Sequence, residues 1–101
     1  MNNRLKLQQT LEEILWSTNV YYQPPETLKL QYPCIIYSRV SVQSTFANNT
    51  PYVHNSKYTL TFIDKRPDSP AIERILRLPT CVHDRHFVKD NLNHDVFTLY
   101  F

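Results

Sequence analysis

Glycine is absent from this 101-residue chain. Its absence removes the phosphate-cradling loops of P-loop and dinucleotide-binding folds, which need backbone to approach phosphate closely, and so excludes the common nucleotide-binding enzymes. It also moves every turn that needs a positive φ onto another residue type. Asn is the usual substitute, because its short polar side chain tolerates the left-handed region. Asn48, Asn49, Asn55, Asn91 and Asn93 are therefore the expected turn positions. Long apolar runs are also missing, and none approaches the roughly 20 residues that span a bilayer. The opening MNNRLKLQQTLEEIL mixes charge with leucine and has no continuous apolar segment like that of a signal peptide, so a cytoplasmic site of synthesis is expected. Cysteine is scarce. Cys34 and Cys81 each lie in strand-like stretches and read as small core residues rather than a disulfide. The sequon Asn48-Asn49-Thr50 carries no meaning without secretion.

Charge of one sign is lacking as well: 11 basic and 9 acidic residues leave a net +2, too little and too evenly spread to mark a nucleic-acid surface. The composition is that of an ordinary globular protein, and the length allows one domain, residues 1–101, with one modest core.

Residues Asn3 to Ser17 read as an amphipathic helix, with Leu7, Leu11, Ile14 and Leu15 at offsets 0, 4, 7 and 8 and Lys6, Gln8, Gln9, Glu12 and Glu13 on the other faces. Trp16 is expected at the margin of the core; exposed, it would mark a contact surface. Asn19 to Gln31, with Pro24-Pro25, reads as a rigid extended connection. Tyr32 to Val42 is β-branched and aromatic, a strand with Pro33 at its start. Gln43 to Ser56 is polar and turn-rich yet carries Phe46, Tyr52 and Val53, and is either a loop or an arm whose apolar residues pack on a neighbouring chain. Lys57 to Asp64 is the clearest strand. Ser69 is the expected N-cap of a second helix with Pro70 at its first position, Glu73 early, Arg74 and Arg77 late, and Pro79 as its stop.

The last fifth, Cys81 to Phe101, reads as two strands around a polar turn at Asp90 to Asp95, with the final strand running to Phe101. The order αββαββ predicts an α+β fold, a two-layer sandwich of a four-stranded antiparallel sheet with both helices on one face.

One cluster invites chemistry: Cys81, His83, His86 and His94, with Asp84 and Asp95 nearby, are all zinc-ligand types. On a regular strand His83 and His86 point to opposite faces, so only a bulge would gather them. Cysteine with histidine also raises nucleophilic catalysis, but no oxyanion-hole loop accompanies Cys81. Neither a metal nor a cofactor is expected on these grounds, nor is enzymatic activity. The paired charges Asp84-Arg85, Asp64-Lys65-Arg66 and Lys89-Asp90 are solvated surface or ion pairs between subunits.

Three blocks, Tyr32-Pro33-Cys34-Ile35-Ile36-Tyr37, the run from Tyr58 to Ser69 and above all Cys81 to Asp95, give the chain a resemblance to the small tail-terminator or tail-completion proteins of tailed bacteriophages. The resemblance spans nearly the whole chain. It implies a virion protein without catalysis or cofactor, forming a hexameric ring on the last ring of the tail tube. Its implied partners are other copies of itself, the tube protein and a head-completion protein, with DNA passing through the lumen unread and no membrane contact. The neighbouring alternative is a head-completion or connector protein that seals packaged DNA; a small zinc enzyme and a host-interaction or regulatory domain are more distant ones. Within this reading Phe46 and Tyr52 are the candidates for subunit or tube contacts, and Arg39, Asp64, Arg66, Arg85 and Asp90 those for ion pairs around the ring.

Overall fold

The computed structural model describes residues 3–47 and 50–101, and the side chains of 4–41 and 56–101. The chain is α+β. Helix α1 (Asn3–Leu15) is followed by β1 (Val20–Tyr22), β2 (Cys34–Ala47), β3 (Thr50–Asp64), helix α2 (Pro70–Leu76), β4 (Val82–Lys89) and β5 (Leu92–Tyr100). One sheet of five strands has the order β1-β2-β3-β5-β4. Strands β2, β3, β5 and β4 are antiparallel neighbours, as the periodicity predicts. The fifth strand corrects the four-stranded expectation. Val20–Tyr22 pairs parallel with Ile35–Tyr37 inside what reads as a connection, because three strand-forming residues suffice where Ile35 N–H donates to Asn19 C=O (3.0 Å) and Gln23 N–H to Tyr37 C=O (3.0 Å). The sheet is therefore mixed.

Alternation divides the sheet into two faces. On one, Ile35, Tyr37, Tyr58, Leu60, Phe62, Phe97 and Leu99 meet Leu7, Leu11 and Leu15 of α1 and Ala71 and Ile75 of α2, and all are buried. Both helices thus lie on that face. Gln8 ties the layers together. Its side-chain amide donates to Val20 C=O (2.9 Å) and its oxygen accepts from the Tyr37 hydroxyl (2.6 Å). Burial raises the Tyr37 phenol above its ordinary pKa, which keeps it a donor.

The missing glycines show at the turns. Positive φ falls on Trp16, Gln23, Thr80, Asp90 and Asn91. Among the described residues Asn91 is the one expected asparagine used in this way; Asn55 and Asn93 lie in strands, and Asn48 and Asn49 fall outside the described residues. Trp16 (φ 60°) ends α1 in a position that usually takes glycine, and Ser17 N–H reaches back to Glu12 C=O at 3.2 Å, a Schellman closure. The left-handed turn swings the indole outward, so Trp16 is 78% exposed and not part of the core. Helix α1 accordingly stops at Leu15, short of Ser17.

Helix α2 begins as its sequence predicts. Ser69 is extended (φ −82°, ψ 136°), its hydroxyl accepts from Ala71 N–H at 3.3 Å, and Pro70 follows at the first position. The β4–β5 turn is tighter than its polar run suggests. Only Asp90 and Asn91 (φ 54° and 63°) form it, as a two-residue hairpin turn with both central residues left-handed. Asn93, His94 and Asp95 already belong to β5.

Two further features position the surfaces described below. Pairing of β3 with the end of the chain stops at Ser56, which exchanges backbone hydrogen bonds with Phe101 (2.9 and 3.4 Å), while β2 and β3 continue beyond it, paired with each other through Ala47–Thr50. This two-stranded arm occupies the stretch read as loop or arm, and the molecule is 52 Å in its longest dimension. Bulges interrupt three strands. Val40 is the extra residue in β2 where the arm leaves the sheet, Tyr52 is extra in β3 within the arm, and Asp84 is extra in β4.

Candidate functional site

The bulge at Asp84 decides the histidines. By its insertion His83 and His86 fall on the same face, opposite Phe97 and Asp95, where a regular strand would separate them. They do not converge on a ligand position, because each takes its own partner. His83 Nε2 lies 3.0 Å from Asp95 Oδ1, and His86 Nε2 lies 3.2 Å from Asn93 Oδ1. His94 lies on the opposite face, stacked on Phe87 at 4.7 Å between ring centroids. Among the described residues no three His, Cys, Asp or Glu side chains come together as a metal-holding group.

Burial has its usual effect on the two thiols. Cys34 is fully buried, and desolvation, helped by the field of Asp64, pushes its pKa up to about 12. Cys81 is half-buried and raised to about 11 by desolvation and then by Asp84. Both are neutral thiols near pH 7, which is the unreactive form.

The residues singled out for contacts between subunits divide between the two ends of the sheet. At one end Asp64 is 4% exposed and accepts from Arg66 Nε at 3.4 Å, so this pair is made within the chain. Asp90, in the β4–β5 turn, lies exposed at the same end. Arg85 is exposed on the face without helices, its guanidinium 5.3 Å from the Phe87 ring centroid. Arg39 is exposed on β2, two strands away from β5 across the sheet. Phe46 and Tyr52 lie on the arm at the far end; their backbone is placed, and their side chains are outside the described residues.

Three surfaces emerge that residue patterns do not announce. Arg74 of α2 donates through Nε to Ile14 C=O at 2.7 Å and lays its guanidinium 4.1 Å from the Trp16 ring centroid. This satisfies a carbonyl at the end of α1 while leaving the other side of the indole to solvent. Asp95, 5% exposed, holds His83, whose ring also meets Phe97 edge-on at 5.2 Å. The third is a groove of about 660 Å³ on the helix-free face, with Pro24, Pro25, Leu28 and Leu30 of the β1–β2 connection on one side and Ile36 and Ser38 of β2 on the other. The diproline is the only trace of it in the sequence, since the groove is made by the connection folding back over the open face.

No protein-family model matches the chain, and no curated protein matches it significantly in sequence.

Proposed function

We propose that this chain is a structural subunit of a tailed-bacteriophage virion, a tail terminator that assembles as a ring on the end of the tail tube and presents the surface to which the head joins. The observation that carries the reading is the resemblance over Cys81 to Asp95, which corresponds to β4, its two-residue turn and the start of β5. The architecture is compatible with it: a small α+β body, an arm extending from its central strands, and charged groups at the opposite end. In this reading the mechanism is capping. One face of the ring matches the terminal tube ring, the other offers no site for a further tube subunit, and DNA passes through the lumen without base recognition. Arg39, Arg85 and Asp90 are the exposed charges available for pairs between neighbours, with Phe46 and Tyr52 on the arm supplying apolar contact. The reading assigns no catalysis and no cofactor to the chain.

Electron microscopy of lysates from a phage with a nonsense codon early in this gene tests it. Filled heads beside unjoined tails of uncontrolled length are expected. Emptied heads beside normal free tails would instead make the protein a head-completion subunit, and intact infectious virions would overturn both readings.

A further inference from the structure

At the end of α1 two local preferences are broken side by side. Trp16 takes φ 60°, which glycine would hold at less cost, and the turn leaves the residue 78% exposed. Glu12 and Glu13 lie in the last turn of the helix, where the unpaired carbonyls disfavour carboxylates, and that turn contains no basic residue. Among the described residues neither carboxylate is in an ion pair; Glu12 accepts from Gln8 Nε2 at 3.2 Å within the helix. Broken local preferences gathered in one place are characteristic of binding surfaces.

Both features line one hollow. Gln9, Glu12, Glu13, Trp16, Ser17 and Thr18 surround a depression of about 620 Å³. Arg74, stacked 4.1 Å from the indole centroid, forms none of its wall, so the depression lies against the side of the ring that Arg74 leaves open. Arg74 also steadies the ring, because its own Nε is held on Ile14 C=O at 2.7 Å. A free aromatic face beside two carboxylates attracts a cation twice, through the ring quadrupole and through charge. The same carboxylates repel the anionic surfaces of nucleic acids and membranes.

We infer that this hollow takes the guanidinium of an arginine from a partner protein. Arginine suits it better than lysine because a planar guanidinium stacks on an indole and also forks onto a carboxylate, and Arg74 already stacks in this way from the other side. The length of the face selects a protein over a small amine. Leu5, Gln9, Glu12 and Trp16 follow one another at spacings of four, three and four on the outer side of α1, away from the buried Leu7, Leu11 and Leu15. Leu5 is 53% exposed and lies about 16 Å along the helix from Trp16, an apolar contact beyond the reach of a single amine. The site serves a partner whether or not the chain belongs to a virion.

Heteronuclear NMR titration of the full chain at neutral pH tests the inference, because the single tryptophan gives one indole N–H resonance. The probe is the peptide acetyl-Leu-Ser-Ser-Ser-Ser-Arg-amide, whose end residues lie about 16 Å apart when extended. Saturable shifts of the indole and of the Ser17 and Thr18 amides are expected, with a dissociation constant on the order of 1 mM. The same peptide with citrulline, which keeps the shape without the charge, the same peptide with lysine, and agmatine, the arginine side chain alone, should each bind at least about 5-fold more weakly. The double variant Glu12→Gln, Glu13→Gln should bind the arginine peptide at least about 5-fold more weakly yet melt no lower than wild type, since carboxylates at that helix end do not stabilise the fold. An indole that does not move, a citrulline peptide that binds equally, or a double variant that binds as wild type does would each overturn the inference. Agmatine or the lysine peptide binding as tightly as the arginine peptide would overturn the assignment to an arginine of a protein.

Discussion

Substitution of Trp16 by glycine and by alanine separates what the backbone costs there from what the side chain contributes. In most helix positions alanine is more stable than glycine by about 1 kcal/mol. At Trp16 the order should invert, because φ is 60° and any Cβ is crowded in the left-handed region, by about 1 kcal/mol or somewhat more. Both variants lose the Arg74 stack, worth about 0.5 to 1 kcal/mol at an exposed site. Trp16→Ala keeps the strain and loses the stack, so it should be destabilised by that amount. Trp16→Gly loses the stack and relieves the strain, which leaves it near wild type and about 1 kcal/mol above the alanine variant. In a domain of this size that gap corresponds to a melting difference of about 4 to 8 °C. Urea denaturation followed by circular dichroism measures it, since the variants lack the chain's single tryptophan. Alanine equal to or more stable than glycine would refute the Schellman assignment and the outward indole with it.

Other expectations follow from the same contacts. Gln8→Leu removes the polar tie between α1, β1 and the Tyr37 hydroxyl and should destabilise by about 1 to 3 kcal/mol in the same denaturation assay, because Tyr37 is left as a buried donor. Thr80→Val removes a hydroxyl that donates to Tyr100 C=O (2.7 Å) and accepts from Tyr100 N–H (3.2 Å), and amide exchange at the end of β5 should accelerate while the helices are unaffected. Cys34, held neutral to about pH 12 against 9.0 for an unperturbed thiol, makes stability fall as pH rises. The unfolded chain loses that proton first, so the loss begins near pH 9 and approaches about 1.4 kcal/mol per pH unit; Cys81, raised to about 11, adds a like slope over a shorter range, so Cys34→Ala should make the alkaline limb shallower without abolishing it. In native protein a thiol reagent should modify Cys81 before Cys34, and equal rates would contradict the burial of Cys34.

The parts of the fold legible in the sequence are those where several local signals agree. Ser69-Pro70 fixes the start of α2 because an acceptor side chain and a missing N–H both suit that position, and the period of Leu7, Leu11 and Leu15 fixes the buried side of α1. Illegible parts are those where a long-range partner decides. Val20–Tyr22 becomes a strand only because β2 lies alongside it. Asn93, His94 and Asp95 look like turn residues, yet each has a contact elsewhere: Lys65 C=O, the Phe87 ring and His83. Trp16 looks like core by composition and is exposed because a chain without glycine places its left-handed turns on other residues. The charged candidates were legible as charges but not as partners. Nothing in Asp64-Lys65-Arg66 says that the first and third close on each other while Arg39, Arg85 and Asp90 face solvent. The groove was least legible of all, since its two walls are joined only by the path of the connection.

The bulge at Val40 also sets a parity. Ser41 pairs with Lys57 only because Val40 is skipped, so Ser41 lies on the face opposite Arg39 although the two are an even number of residues apart. Deleting that one residue would place Ser41 directly after Arg39 and still opposite Lys57, so the pairing beyond would be kept and only the bulge would be lost. Val40 thus acts as a spacer outside the pairing, and what its presence changes is the local bend and twist of β2 at the point where the arm leaves the sheet.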